Sequence, residues 1–397
     1  LTTATMPTLD GAANVAGAIE TIESHLHPEP SFDVAKHPMP TGREEIWRFS
    51  PLKALRPLLA EGDALGGLDW AGEVPDGVEM RAIPAAEARE RAIEPPVDRI
   101  AAIAAQRTGE AVYLNVPAEA VIAEPIVFTA TGSGGPAAES FIADFGRHSR
   151  ATLVLHFEGS AQYAAKYDFR VADGAEINLV YVNDWAEDTV HGAQISVQVG
   201  RDAHVRTIHT SLGGKAIRIA ERASFAGPGG SVEQFGLYFV NGGQHVEHRM
   251  FVDHNEPHTK SNVDYRGALQ GKGAHSVWIG DVLIRKVAKQ IETYESNKNL
   301  VLTDGCQADS VPNLEIETGE IAGAGHSSTT GRFDDNQLFY LMSRGITEDE
   351  ARRLIVHGFF NDIIRRIGVP AIEQRLLAQV ERELELVHGS TATKEHE

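Results

Sequence analysis

The chain has 397 residues, 42% hydrophobic and 23% charged, an ordinary globular composition, and its length suggests two or three domains or one elongated one. Lys and Arg total 36 against 56 Asp and Glu, a net charge of −20, which argues against nucleic acid and anionic membrane surfaces as main partners, since both need a positive field. No run of roughly eighteen apolar residues predicts a membrane span, and the single cysteine, Cys306, excludes an internal disulfide and fits a reducing, cytoplasmic setting.

The first zone, residues 1–109, mixes helical stretches with Pro-rich breaks. The opening "LTTATMPTLDGAANVAGAIE" has no basic segment followed by an apolar core, so no signal peptide is read. "GAIETIESHL" and "AAEARERA" predict short helices, and "PEPSFDVAKHPMPTGREEIW" predicts an extended connector. "VDRIAAIAAQRT" predicts a helix that closes the zone.

From 110 to 335 the hydrophobic period changes to two. "AVYLNV", "EPIVFTA", "SRATLVLHFEG", "AEINLVYVN", "AQISVQVG", "AHVRTIHTSL", "SVEQFGLYFV" and "NLVLTD" are short β-branched runs bounded by Gly, Asp and Asn. A small residue recurs just before an alternating strand: Gly174-Ala175, Asp202-Ala203, Gly230-Ser231, Gly273-Ala274 and Ala308. The spacing is uneven, roughly 25 to 45 residues, near or above the range of stacked coils. Small corners allow close approach of successive coils. A sandwich would prefer two-residue hairpins, yet "NG" occurs once, at Asn241-Gly242. A parallel β-helix is therefore expected.

The last zone, 336–397, reads as helical. Thr347-Glu348-Asp349-Glu350 forms a capping box. Behind it Ala351, Leu354, Ile355, Phe359, Ile363 and Ile367 recur at helical spacing. Gly368 stops that helix and Pro370 opens the next, which carries Ile372, Leu376, Leu377, Val380 and Leu384 on one face. The tail "HGSTATKEHE" is expected to be disordered.

Several chemistries are set aside. "GALQGKGA" and "SLGGKAIR" lack the spacing and the Ser/Thr of a phosphate loop, so no ATP hydrolysis is expected of the chain itself. No dinucleotide fingerprint, nucleophile elbow or "HExxH" is present. One thiol cannot hold an iron–sulfur cluster, which usually takes about four protein ligands. The densest histidine stretch holds His245, His248, His254 and His258 with Glu247 and Asp253, but strand alternation splits His245 from His248. His156 and His209 fit hydrogen-bonded rungs, and His357 fits a helix packing or partner face. His326 stands apart, amid Gly, Ala, Ser and Thr too small to enclose it. An exposed imidazole there can bind metal or act on something a partner brings, although an ordinary turn histidine has the same pattern.

"TYESNKNLVLTDGCQADSVPNLEIE" followed by "HSSTTGRFDDNQLFYLMSRGITEDEARRLIVHGFFNDII" resembles the SufB/SufD family of iron–sulfur cluster assembly proteins. The likeness is strong over about 245–370, and "GREEIWRFSPLKAL" favours SufD-type members. The resemblance implies a right-handed parallel β-helix core flanked by helical regions. It implies pairing with a SufB-like subunit through the β-helices, while the C-terminal helices bind a SufC-like ABC ATPase. A transient iron–sulfur cluster shared with SufB and a reduced flavin in the complex follow from it; pairing with a second copy when alone is left open. His326 matches a histidine at the interface with SufB, so it is the expected metal-ligating residue. Ala324 stands where many SufD members carry a cysteine, and Cys306 falls where SufB members carry their cluster-associated cysteine. Arg352, Arg353 and Asn361 are expected nearer the ATPase partner. The chain is thus expected to be a non-catalytic scaffold. The alternatives are a β-helix enzyme acting on acidic polysaccharide and a purely structural partner.

Overall fold

A computed structural model describes residues 29–332 and 335–391. The predicted helix "GAIETIESHL" lies outside the described residues, as does 392–397 of the tail. The N-terminal region contains 3-10 turns at Val34–Lys36 and Glu45–Trp47, where an extended connector was expected. Three short helices follow: α1 (Leu52–Leu55), α2 (Ala85–Arg91) and α3 (Arg99–Arg107). Asp98 caps α3 by accepting from the Ala101 N–H. This region also contributes two strands the pattern did not predict, β1 (Asp69–Gly72) and β2 (Glu79–Pro84).

The centre is a parallel β-solenoid. It opens with β3 (Glu110–Val116), β4 (Ile126–Phe145) and β5 (Arg150–Val171). Then come β6 (Glu176–Trp185), β7 (Val190–Val199), β8 (His204–Gly213), β9 (Ala216–Phe225), β10 (Ser231–Val240) and β11 (His245–His254). The last coils are β12 (Lys260–Leu269), β13 (His275–Ile284), β14 (Glu292–Val301), β15 (Gln307–Ile316) and β16 (Gly323–Arg332). Odd strands stack as β7, β9, β11, β13, β15 and even strands as β6, β8, β10, β12, β14, β16; long β5 joins both stacks. Even strands begin at 176, 204, 231, 260, 292 and 323, intervals of 27 to 32 residues. The expected repeat mixed the two faces: Gly273-Ala274 precedes β13 and Ala308 lies inside β15, both on the odd side. Corners are closed by residues in the left-handed region, among them Gly174, Asp202, Gly243, His258 and Gly305.

Period-two alternation divides each strand between the lumen and an outer face. Both outer faces are covered on the early coils. Trp47, Leu55, Leu58 and Ile100 of the N-terminal region pack on Ala164, Val190 and Ala216. Arg218 pins this cover: it donates to Asp98, lies 3.3 Å from Glu247, and stacks 4.2 Å from the Trp47 ring. On the even side, α5 (Glu348–Ile364) and α6 (Pro370–Thr391) pack Val356, Phe360, Ile363 and Leu376 onto Val180, Ile208, Phe235 and Leu237. Arg266 ties α5 down, to the Phe359 carbonyl and to Asp362, both at 2.8 Å. The expected stripe is buried in part: Ala351, Ile363 and Ile367 face inward, but Leu354 is half exposed, and Val356 and Phe360 take the inward positions instead. α6 buries the expected Ile372, Leu376, Val380 and Leu384, and runs through His388–Thr391, where the sequence predicts the start of the tail. A further helix, α4 (Asp335–Ser343), precedes α5, and Arg344-Gly345 lies in the link between the two.

The two ends of the solenoid differ. The first is closed by β1, antiparallel to β4, and by a cluster of Trp70, Phe128, Phe141 and Phe157. At the other, β15 pairs only with β13 and β16 only with β14 among the described residues. Among those residues no helix is long and apolar enough to cross a membrane.

Candidate functional site at the open end of the solenoid

The lumen is polar and aromatic as well as apolar. On the even side one inward column runs Leu179, Thr207, Gln234, Val263, Glu295, His326. Next to it Tyr181 stacks on His209 at 4.3 Å, His209 bonds Glu221, and Tyr265 contacts both His248 and Trp278. Thr207 and Gln234 each donate to Glu221 at 2.7 Å. Closer to the open end, Tyr238 donates to Asn299 (2.6 Å) and Asn297 donates to Tyr238 (3.0 Å). The open end therefore exposes a mixed interior, in which hydrogen-bonded side chains lie beside apolar ones such as Val263 and Ile284.

His326 is the last rung of its column. It lies exposed on β16, on the same strand face as Ala324, which packs on the core. Its parallel-register partner is Glu295 on β14, and adjacent strands lie about 4.8 Å apart. Glu295 is only 1% exposed, and neither carboxyl oxygen has a hydrogen-bond partner. Burial, with the nearby Asp281 charge adding to it, pushes its carboxyl up to about 8. Trp278 Nε1 and Ser310 Oγ, themselves register partners on β13 and β15, are also buried without partners. Gly280 leaves room for the pair: a Cβ there would lie 2.4 Å from the Trp278 ring and 2.7 Å from Glu295 Oε1. Three unsatisfied side chains thus gather just inside the opening, with an imidazole at its rim. Buried polar atoms without partners are costly, so each demands a reason.

Sequence reasoning singles out His326, which the structure leaves exposed, and does not single out Glu295, Trp278 or Gly280. In "TYESNKNL" the inward residues are Thr293, Glu295, Asn297 and Asn299, all polar, so no apolar stripe marks the lumen face.

The other candidates are scattered. Cys306 sits in the corner before β15, packed on the core, its thiol 3.4 Å from the Gly271 carbonyl. It follows Val301, whose partner Arg332 is six residues beyond His326, roughly 20 Å along a strand. The structure does not bring Cys306 and His326 together. Alternation does split the histidine stretch. His248 faces the lumen against Tyr238 and bonds Ser211, whereas His245 lies outside, 3.2 Å from His275, which in turn bonds Asp309 at 2.7 Å. His254 is held by Thr259 and Ser261 in the interior. Among the described residues no three or more His, Cys, Asp or Glu side chains form a group able to hold a metal ion. On α5, Arg352 pairs with Glu348 at 2.8 Å, Arg353 lies exposed 3.9 Å from Glu381, and Asn361 is half-buried. Beside them Phe339, Tyr340, Met342 and Leu354 are exposed, at 74%, 56%, 45% and 50%.

Comparison with known proteins matches residues 128–359 to the family described as "SUF system FeS cluster assembly, SufBD core domain". The chain belongs to the SufBD family. An iron–sulfur cluster assembly SufBD family protein of Mycobacterium tuberculosis (strain H37Rv) is 45% identical over 375 residues, 91% of this chain and 94% of the relative. One of Mycobacterium leprae is 45% identical over 377 residues, 91% and 95% of the two chains. The iron–sulfur cluster assembly protein SufD of Escherichia coli K12 is 25% identical over 248 residues, 61% of this chain and 57% of that one. The matched segment begins within β4 and ends within α5, so the open end lies inside it.

Proposed function

We propose that this chain is the SufD-type scaffold subunit of an iron–sulfur assembly complex, and that its open solenoid end is one wall of the cluster-building site. The observation that carries this reading is the asymmetry of the solenoid. One end is capped, while the other presents two edge strands, unpaired on their outer sides among the described residues, with an exposed imidazole one strand from the buried Glu295. Unpaired edges are templates for another chain, and a second β-solenoid of the SufB type fits them. A second observation supports two different subunits. Mycobacterium bovis has a SufBD family protein 45% identical to this chain and another 24% identical over 228 residues.

In this reading the chain supplies a nitrogen donor and the SufB-type partner supplies thiolate. Iron and sulfide are cargo, held transiently across the junction, with reduced flavin a companion of the complex. Imidazole replaces thiolate in some iron–sulfur sites, so the donor type suits the cargo. The role is that of a scaffold without turnover of its own. Cys306 is a packing residue of the corner. The SufC-type ATPase docks on α4 and the start of α5, where Phe339, Tyr340, Met342 and Leu354 are exposed beside Arg352 and Arg353, with Asn361 at the margin. Because α5 and α6 lie on the outer face of the even strands, a pull on them reaches the sheet that ends in His326. The helix-to-helix joint at Arg344-Gly345, with Gly345 at φ 88°, is the hinge.

A polysaccharide-acting β-helix enzyme finds no support in the family match. The test is co-expression with SufB- and SufC-type subunits. His326→Ala is expected to leave the assembly intact and sharply lower its iron and acid-labile sulfide content. Full cluster yield would remove His326 from the mechanism.

A further inference from the structure

A buried carboxyl with two unpartnered oxygens is an expensive thing for a fold to keep, unless something occupies it part of the time. Glu295 is such a group. It does not sit deep in the lumen, where Glu221 is fully hydrogen-bonded by Thr207, Gln234 and His209. It sits one rung from the opening, directly inside His326. Its neighbours are not counter-ions: Trp278 can only donate one N–H, and Gly280 offers no side chain. The neighbouring coil therefore builds a place for the carboxyl without providing its partner.

We propose that Glu295 and His326 together form a divalent-cation site at the mouth of the solenoid, in which the cation bridges the carboxylate and the imidazole. An oxygen and a nitrogen donor one strand apart suit Fe(II) and its neighbours in the first transition row. Two donors from one chain are too few for a closed site. The remaining positions face outward, to water in the free chain and to the partner's donors in the complex. Such a site takes up iron before or while sulfide arrives. On binding, the carboxyl loses its proton to solvent as the oxygen–metal bond forms; no electron moves. The inference deepens the assembly reading above and rests on the open end being where iron is received.

The experiment is Co(II) titration of the full chain, followed by calorimetry and by the visible absorption of the bound ion. Glu295→Gln and His326→Ala are each expected to weaken the tightest Co(II) site at least tenfold, and the double variant to abolish it. Co(II) taken up elsewhere on this acidic surface persists in the double variant and is subtracted. Glu295→Leu is the second variant, since an apolar residue of similar size suits the buried position should the amide not fold. Wild-type affinity in both Glu295 variants, or no tight site in the wild-type chain, would overturn the inference. Either result leaves the cluster yield of the His326→Ala complex to decide the assembly reading independently.

Discussion

Replacing Glu295 by Gln should make the free chain more stable at high pH, by an amount set by the carboxyl's isolation. Its ordinary value is 4.5 and the fold raises it to about 8. Between those limits the folded chain holds a proton that the unfolded chain has lost, so stability falls as pH rises across the window. Every tenfold difference in proton affinity between the folded and unfolded chain is worth about 1.4 kcal/mol. From pH 5 to pH 8 the wild type should therefore lose roughly 3–4 kcal/mol through this one group. Gln cannot ionise and escapes that loss. Urea unfolding of both chains at pH 5, 6, 7 and 8 gives the comparison. Other buried acids, Glu139 among them with its carboxyl near 7, titrate in both chains and cancel in the difference. The Gln advantage should widen steadily toward pH 8. Parallel stability curves would mean that Glu295 has a partner or water access and is not the isolated carboxyl described above.

Four further outcomes are expected. Gly280→Ala drives a methyl against the Trp278 ring and the Glu295 carboxyl and should cost about 1–3 kcal/mol in chemical denaturation. Arg218→Ala removes the cation from the buried Asp98 carboxylate and leaves Arg249 as the guanidinium beside Glu247; a loss of about 3–5 kcal/mol is expected, with the N-terminal cover cut first in limited proteolysis. Leu354→Asp on the exposed α5 surface should leave the melting temperature nearly unchanged while abolishing co-purification of the SufC-type ATPase. Cys306→Ser should leave cluster yield in the complex at the wild-type level, because the thiol lies at a corner remote from His326; a collapse in yield would move the site toward that corner.

Much of the solenoid could be read from residues alone. "AQISVQVG" alternates because Ile195, Val197 and Val199 face the lumen while Gln194 and Ser196 turn outward and bond the N-terminal segment at Val97 and Glu94; in "AEINLVYVN" the outer Val180 and Val182 are apolar because helices cover them. The repeat was blurred because corners on the two faces carry similar small residues, so Gly230 and Gly273 looked like successive turns of one series. β1 and β2 escaped because they are short and largely exposed, with no apolar stripe. The exposure of His326 was legible through its setting of residues too small to bury it, whereas the role expected of it came from the family resemblance. Glu295 was not, because the energetic fact about it is a missing partner, and that exists only once β13 and β14 face each other. Likewise Leu354 fits a helical stripe in sequence, and only the seating of α5 through Val356 and Phe360 turns it outward.

The most direct test is the iron and acid-labile sulfide content of the reconstituted complex, compared with that of this chain handled the same way alone. A stable cluster in the assembled complex, lost when His326 is Ala and absent from the isolated chain, is the predicted result. A cluster retained by the isolated chain, or undiminished in the His326→Ala complex, would contradict a site shared across the open end.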